Sequence, residues 1–348
     1  MRNHNADNRF GRHSCMGSGY MSWLLMLGGW LMLAVLPVQA EPALLAMDGQ
    51  KIVTASSVRV RAEPTLEADV LGRVGLGAVV RGIRRTRDKL QIGELHDYWY
   101  QVESGELQGW VSGRYLRDFQ PENREQIWFE LIKERLDNPE LSFPESVALY
   151  RFARLVNAHV QEGKLKGAFE LGELLALQKS FDRLDISLAE QAPYAAWISE
   201  HQEAGRVFHD EISGQWLVPS TDYWKLADRY DGKAGADDIA WYAANAQLGG
   251  ECEGDISCNL GREKITFGEY LKRHPYGRYA GASLQRISET LSYILQALEQ
   301  QPDYFQQVTD TGPVIDELVE LVANSNPKLS ERAKAFGQIK AIQQAARL

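Results

Sequence analysis

The stretch Val58-Arg59-Val60-Arg61-Ala62-Glu63-Pro64 decides the N-terminal fold. Valines and arginines alternate with a period of two, and a proline then ends the run. That is the pattern of a half-buried strand leading into a turn. Val70-Leu71-Gly72-Arg73-Val74 and Gly77-Ala78-Val79-Val80 repeat the apolar character between glycines. Downstream, Tyr98-Trp99-Tyr100-Gln101-Val102 and Leu107-Gln108-Gly109-Trp110-Val111 flank Ser104-Gly105-Glu106, which reads as a hairpin turn. Short strands packed this densely predict a small β-barrel over residues 51–118.

Four ordered signatures within this region resemble the bacterial SH3-type domain. They are Val58 to Pro64, Val70 to Val80, Trp99 to Val102, and Gly109-Trp110-Val111 followed by Tyr115-Leu116. The resemblance implies a binding module of exported cell-envelope proteins. Some members bind peptidoglycan or its peptides, and others serve protein interaction or packing. Arg59 stands where the family often has Asn, and Glu63 where it often has Gly. The segment from Arg84 to Asp97 is longer and more charged than the family norm. Arg61, Trp99, Tyr100, Trp110 and Tyr115 are the candidate ligand-binding residues. The competing reading makes Trp99 and Trp110 core residues, because large aromatics dominate small cores. Arg59, Arg61, Arg81, Arg84 and Arg85 make the module locally basic.

Upstream, Arg2, Arg9 and Arg12 precede an apolar run from Trp23 to Leu36, and Val38 and Ala40 supply small residues at a cleavage position. This is signal-peptide chemistry over residues 1–40. The run is shorter than the roughly 20 residues a transmembrane helix needs, so no permanent membrane span is expected after cleavage. The mature chain is expected in the periplasm. Cys15 leaves with the leader, and Cys252 and Cys258 remain as a pair. In an oxidising compartment that pair predicts a disulfide rather than a redox or metal motif.

Downstream of Pro121 the apolar spacing turns helical. Ile127, Leu131, Ile132 and Leu136 form one stripe, and Ser142 to Glu145 and Ser187 to Glu190 read as capping boxes. The second of these predicts a helix running to Gln202. An all-α domain is expected over 122–348, with a strand pair allowed within 205–219. Trp224 to Ala244 and Tyr270 to Leu284 echo each other as helix, corner, helix. They resemble tetratricopeptide hairpins without carrying the full repeat. The fold class is thus multidomain: a small all-β SH3-like barrel, then an all-α domain.

Composition narrows the function. The 348 residues carry a formal charge of −9, so a nucleic-acid partner is not expected. No phosphate loop, G-x-S-x-G, H-E-x-x-H or dinucleotide fingerprint occurs, and no cofactor or metal is expected. His201 and His209 with Glu203, Asp210 and Glu211 read as exposed polar residues. Cys252 or Cys258 with His274 would suit a papain-like peptidase only if a thiol were free. Glu145, Glu170, Glu173 and Glu251 are the acids a helical cell-wall hydrolase could use, but none sits in a transglycosylase motif. The expected function is non-catalytic binding of peptidoglycan or an envelope protein. A wall hydrolase targeted by the barrel and a purely structural domain pair are the alternatives.

Overall fold

The computed structural model describes residues 42–300 and 311–345. The predicted leader, residues 1–40, lies outside the described residues. Nine strands come first: β1 (Leu44–Val53), β2 (Val58–Arg61), β3 (Val70–Val74), β4 (Val79–Thr86), β5 (Leu90–Ile92), β6 (Leu95–Asp97), β7 (Trp99–Ser104), β8 (Leu107–Ser112) and β9 (Leu116–Phe119). Seven of them form one antiparallel sheet in the order β3-β2-β8-β7-β4-β1-β9, and β5 and β6 pair as a separate hairpin. The barrel therefore starts at Leu44, ahead of the boundary read at 51. β1 alternates along its length, but a bulge between Ala46 and Gly49 interrupts its register with β4.

The two faces of the sheet bury different sets. Val53, Val58, Val60, Val74, Val80, Val102 and Val111 fill the interior. Trp99, Trp110 and Ile92 form a second cluster, with Leu90 packed against it. Trp110 is paired with Arg61, and Trp99 with Ser112, so these side chains share the face opposite the valines. The charged segment after Arg84 supplies the cover: β5 and β6 fold over the two tryptophans. Hairpin β7–β8 turns at Gly105, whose φ is 60°, as its sequence requires.

The helical region begins with α1 (Arg124–Asp137), α2 (Phe143–His159), α3 (Lys166–Phe181) and α4 (Tyr194–Glu203). The strand pair β10 (Phe208–Asp210) and β11 (Gln215–Leu217) follows, so a hairpin interrupts the helices. Then come α5 (Ser220–Tyr230), α6 (Ala236–Ala244), α7 (Ile256–Glu263), α8 (Glu269–Arg273), α9 (Ala280–Gln300), α10 (Gly312–Asn324) and α11 (Ser330–Ala345). A π-helical turn at Lys264–Gly268 joins α7 to α8. Among the described residues no helix is long and apolar enough to cross a membrane.

One capping box forms and the other does not. At α2 the Ser142 side chain and Glu145 cap reciprocally. At the second, the Asp185 carboxylate accepts from both the Ser187 N–H and its hydroxyl, at 3.0 and 2.6 Å. That local turn leaves only a single 3₁₀ turn at Ile186–Leu188. Pro193 disfavours helix at the residue before it, so α4 starts at Tyr194 and not near Ser187. Further along, α7 starts at Ile256 because Asp255 caps it by accepting from the Cys258 N–H. Cys258 thus sits in the first turn of α7, bonded to Cys252 as expected, with Cα atoms 5.4 Å apart.

The internal echo falls on α5–α6 and α8–α9. Fully buried Tyr270 of the second hairpin donates to Asp237 of the first, and the Arg278 N–H donates to the other oxygen of that carboxylate at 2.9 Å. Trp241 of α6 stacks on Tyr279 with centroids 4.7 Å apart.

Glu145 gives this region a pH dependence. Burial raises its pKa, but the Ser142 N–H and hydroxyl and the Arg135 guanidinium outweigh that and hold it below the ordinary value. A depressed carboxylate stabilises the fold above its unfolded pKa, and the contribution is lost as pH falls through the folded one. Glu145→Gln is expected to cost about 1 kcal/mol at neutral pH, the usual worth of a cap. The gap between variant and parent, measured by urea unfolding, should close on acidification through and below the ordinary glutamate range.

Candidate functional site

The barrel and α2 meet in a way that leaves a groove between them. Ile52 of β1 is fully buried in the helical core, and Leu76 packs on the same core. Gly77, in the β3–β4 turn, lies against the ring of Phe152 on α2. Beside these contacts is a groove of about 1080 Å³. The outer face of β2 and β3 forms one side and the β5–β6 hairpin another. The 3₁₀ turn Gly113–Tyr115 and the first three turns of α2 complete it.

Three of the five sequence-derived candidates line this groove: Arg61, Trp99 and Tyr115. Arg61 is buried, and its Nη1 donates to the Ala68 carbonyl at 2.8 Å, which pins the loop between β2 and β3. Trp99 is only 2% exposed, so it offers an edge rather than a stacking face. Tyr115 is half-buried, with the Arg114 guanidinium 5.0 Å from its ring centroid. Trp110 does not line the groove, and Arg84 covers its ring at 5.8 Å. Tyr100 also lies elsewhere. It packs on the valine core with the Lys51 ammonium 4.8 Å from its ring centroid.

The groove adds residues that the sequence did not single out as a site. Arg59, Arg73, Arg114 and Arg151 are exposed along it, and Leu66 and Leu95 are exposed apolar residues among them. With Arg61 this makes five arginines against two glutamates, Glu94 and Glu145. Arg59 carried a signal, as a departure from the family pattern. Arg151 carried none, since only the docking of α2 brings it to the barrel. The other arginines that made the module read as basic are engaged elsewhere. Arg81 pairs with Glu103, Arg84 donates to Gln101, and Arg85 lies 4.1 Å from the ring centroid of Tyr98.

The residues considered for catalysis are scattered. Cys252 and Cys258 are bonded to each other, so neither is a free thiol. His274 packs on Tyr270. Glu170 and Glu173 share α3, where Arg229 and Arg206 respectively pair with them at 2.8 and 3.2 Å. Glu251 is exposed beside the disulfide. His201 is buried against Trp197, contrary to the exposed position expected for it, and burial lowers its pKa. His209, on β10, is exposed and packs on Trp216.

No curated protein and no solved structure matches the chain. The family model described as the bacterial SH3 domain matches residues 56–117, which span β2 to the second residue of β9 and leave β1 outside. The sheet-rich part of this chain is therefore a bacterial SH3 domain, extended by an N-terminal strand and followed by a helical region.

Proposed function

We propose that this is an exported, non-catalytic binding protein of the cell envelope. Its SH3 domain holds peptidoglycan or an envelope protein in the groove against α2. The observation that carries the reading is the convergence of Arg61, Trp99 and Tyr115 with further arginines and exposed leucines in one concave surface. A concave site with apolar walls and a few directed polar groups is the usual form of a ligand pocket. The disulfide fits an oxidising compartment.

A second reading has support of its own. Ile52 and Leu76 bury the barrel in the helical core, as a purely structural domain pair would require. Co-sedimentation with purified sacculi separates the readings, with the supernatant assayed for released muropeptides. The proposal expects pelleting without release, and a drop of roughly tenfold in affinity for Arg151→Glu, since one charge-assisted contact is worth about that factor. Release of fragments would make the helical region a hydrolase. Absence of pelleting would remove the wall as the ligand.

A further inference from the structure

We propose that the junction groove reads carboxylates on an extended peptide, with Arg59 and Arg73 as its clamp and Arg151 of α2 on the facing wall. The inference rests on the groove being a ligand site, not on the wall being the ligand.

Arg59 on β2 and Arg73 on β3 stand directly opposite each other in the antiparallel register. Like charges at such positions destabilise a sheet. Elsewhere the barrel neutralises its arginines: Arg81 pairs with Glu103, and Arg117 with Glu134 at 2.6 Å. Among the described residues, neither Arg59 nor Arg73 has a carboxylate within ion-pair distance. Arg73 donates only to the Ser57 carbonyl and hydroxyl, at 3.4 and 3.1 Å. Nor do the two glutamates of the groove answer the charge. Glu145 is held by Ser142 and Arg135, which leaves Glu94 as the other acid lining the groove. This concentration of positive charge occurs in a chain of net charge −9. Planar guanidinium forks are suited to bidentate capture of a carboxylate.

Two further features favour a peptide over a bare anion. The hydroxyl of Ser112, 5% exposed and lining the groove, has no hydrogen-bond partner among the described residues. A ligand atom that reached it would satisfy a buried polar group otherwise left unpaired. In addition, β3, which carries Arg73, is one of the two edge strands of the sheet, and the outer side of an edge strand can pair with an added strand. Leu66 and Leu95, at 43% and 45% exposure, offer apolar contact for side chains between the carboxylates.

The test uses the full chain and a fluorescent hexapeptide bearing two glutamates and a free C-terminus. Its neutral counterpart has glutamines and a C-terminal amide. Anisotropy is expected to show the acidic peptide binding at least about tenfold more tightly, the worth of one charge-assisted pair. Raising the salt should weaken that peptide alone. The variant R59Q/R73Q alters only exposed residues and relieves the repulsion between them, so a urea midpoint no lower than the parent's will verify its fold. It should bind both peptides equally. Equal binding of the two peptides by the parent chain, or a preference that survives in R59Q/R73Q, overturns the proposal. So does displacement of the acidic peptide by inorganic phosphate at constant ionic strength, which would reduce the site to a general anion hole. Sacculus pelleting of the parent chain is judged separately. Pelleting without peptide discrimination removes the carboxylate inference and leaves wall binding. Discrimination without pelleting does the reverse.

Discussion

Gly77→Ala is expected to lower stability by about 3 kcal/mol, the sum of two penalties. Gly77 has a φ of 78°, which an L-residue adopts at a cost of about 1–2 kcal/mol. A Cβ there would lie 2.0 Å from Cε2 of Phe152 and 2.3 Å from its Cδ2. Phe152 is itself only 6% exposed, so its ring has little room to retreat. Overpacking of this kind costs about 1–3 kcal/mol more. The Gly77 N–H also donates to the Val53 carbonyl at 2.9 Å, which fixes the turn against β1 and denies it an easy shift. Coupling identifies the cause. Phe152→Ala alone should cost about 3–5 kcal/mol. The double variant should be less destabilised than the two singles together by about 1 kcal/mol or more, because the added methyl then enters the vacated space. Urea unfolding of the four proteins measures this. A loss below 1 kcal/mol for Gly77→Ala, or strict additivity, would mean that the turn and α2 are not in the contact described.

That contact is what turns a barrel and a helix bundle into a site, and it marks where the sequence stops being informative. The barrel was legible because its determinants are local. Alternating valines, glycines at turns and the Gly105 hairpin each act within a few residues. Helices α1 and α2 were legible for the same reason, through apolar spacing and the Ser142 to Glu145 cap. Ser187 to Glu190 misled because Asp185, two residues upstream, competes for the same N–H. A capping pattern does not reveal such a rival. Half the groove was out of reach on stronger grounds. Arg151 and Arg59 are far apart in sequence and belong to elements of different period. Only the burial of Ile52 and Phe152 brings them to one surface. The charged segment after Arg84 was visible as an oddity. That it becomes the wall over Trp99 and Trp110 depends on the pleat, which puts both tryptophans on the face away from the valines.

The position of Trp99 leads to the second large effect. Trp99→Ala is expected to cost about 3–5 kcal/mol, as for other fully buried large aromatics. The indole is 2% exposed, packs with Ile92 and Trp110, and its backbone N–H donates to the Thr86 hydroxyl at 3.2 Å. Truncation removes the floor on which the β5–β6 hairpin rests, and with it the wall that carries Glu94 and Leu95. Loss of ligand binding in this variant would therefore reflect a collapsed wall, not a lost stacking surface. Trp99→Phe distinguishes the two. It keeps an aromatic ring beneath the hairpin and should cost only about 1–2 kcal/mol, since fewer atoms leave a smaller cavity. If Trp99 acts by support, the phenylalanine variant binds sacculi or the acidic hexapeptide within about twofold of the parent, below the tenfold that a 1.4 kcal/mol contact would give. If Trp99 touches the ligand, binding falls well beyond that for the same modest change in the urea midpoint. Burial decides which outcome to expect. A side chain with so little surface left has almost none to offer a ligand, so its contribution to recognition is to hold the hairpin and keep the arginines of β2 and β3 facing an open groove.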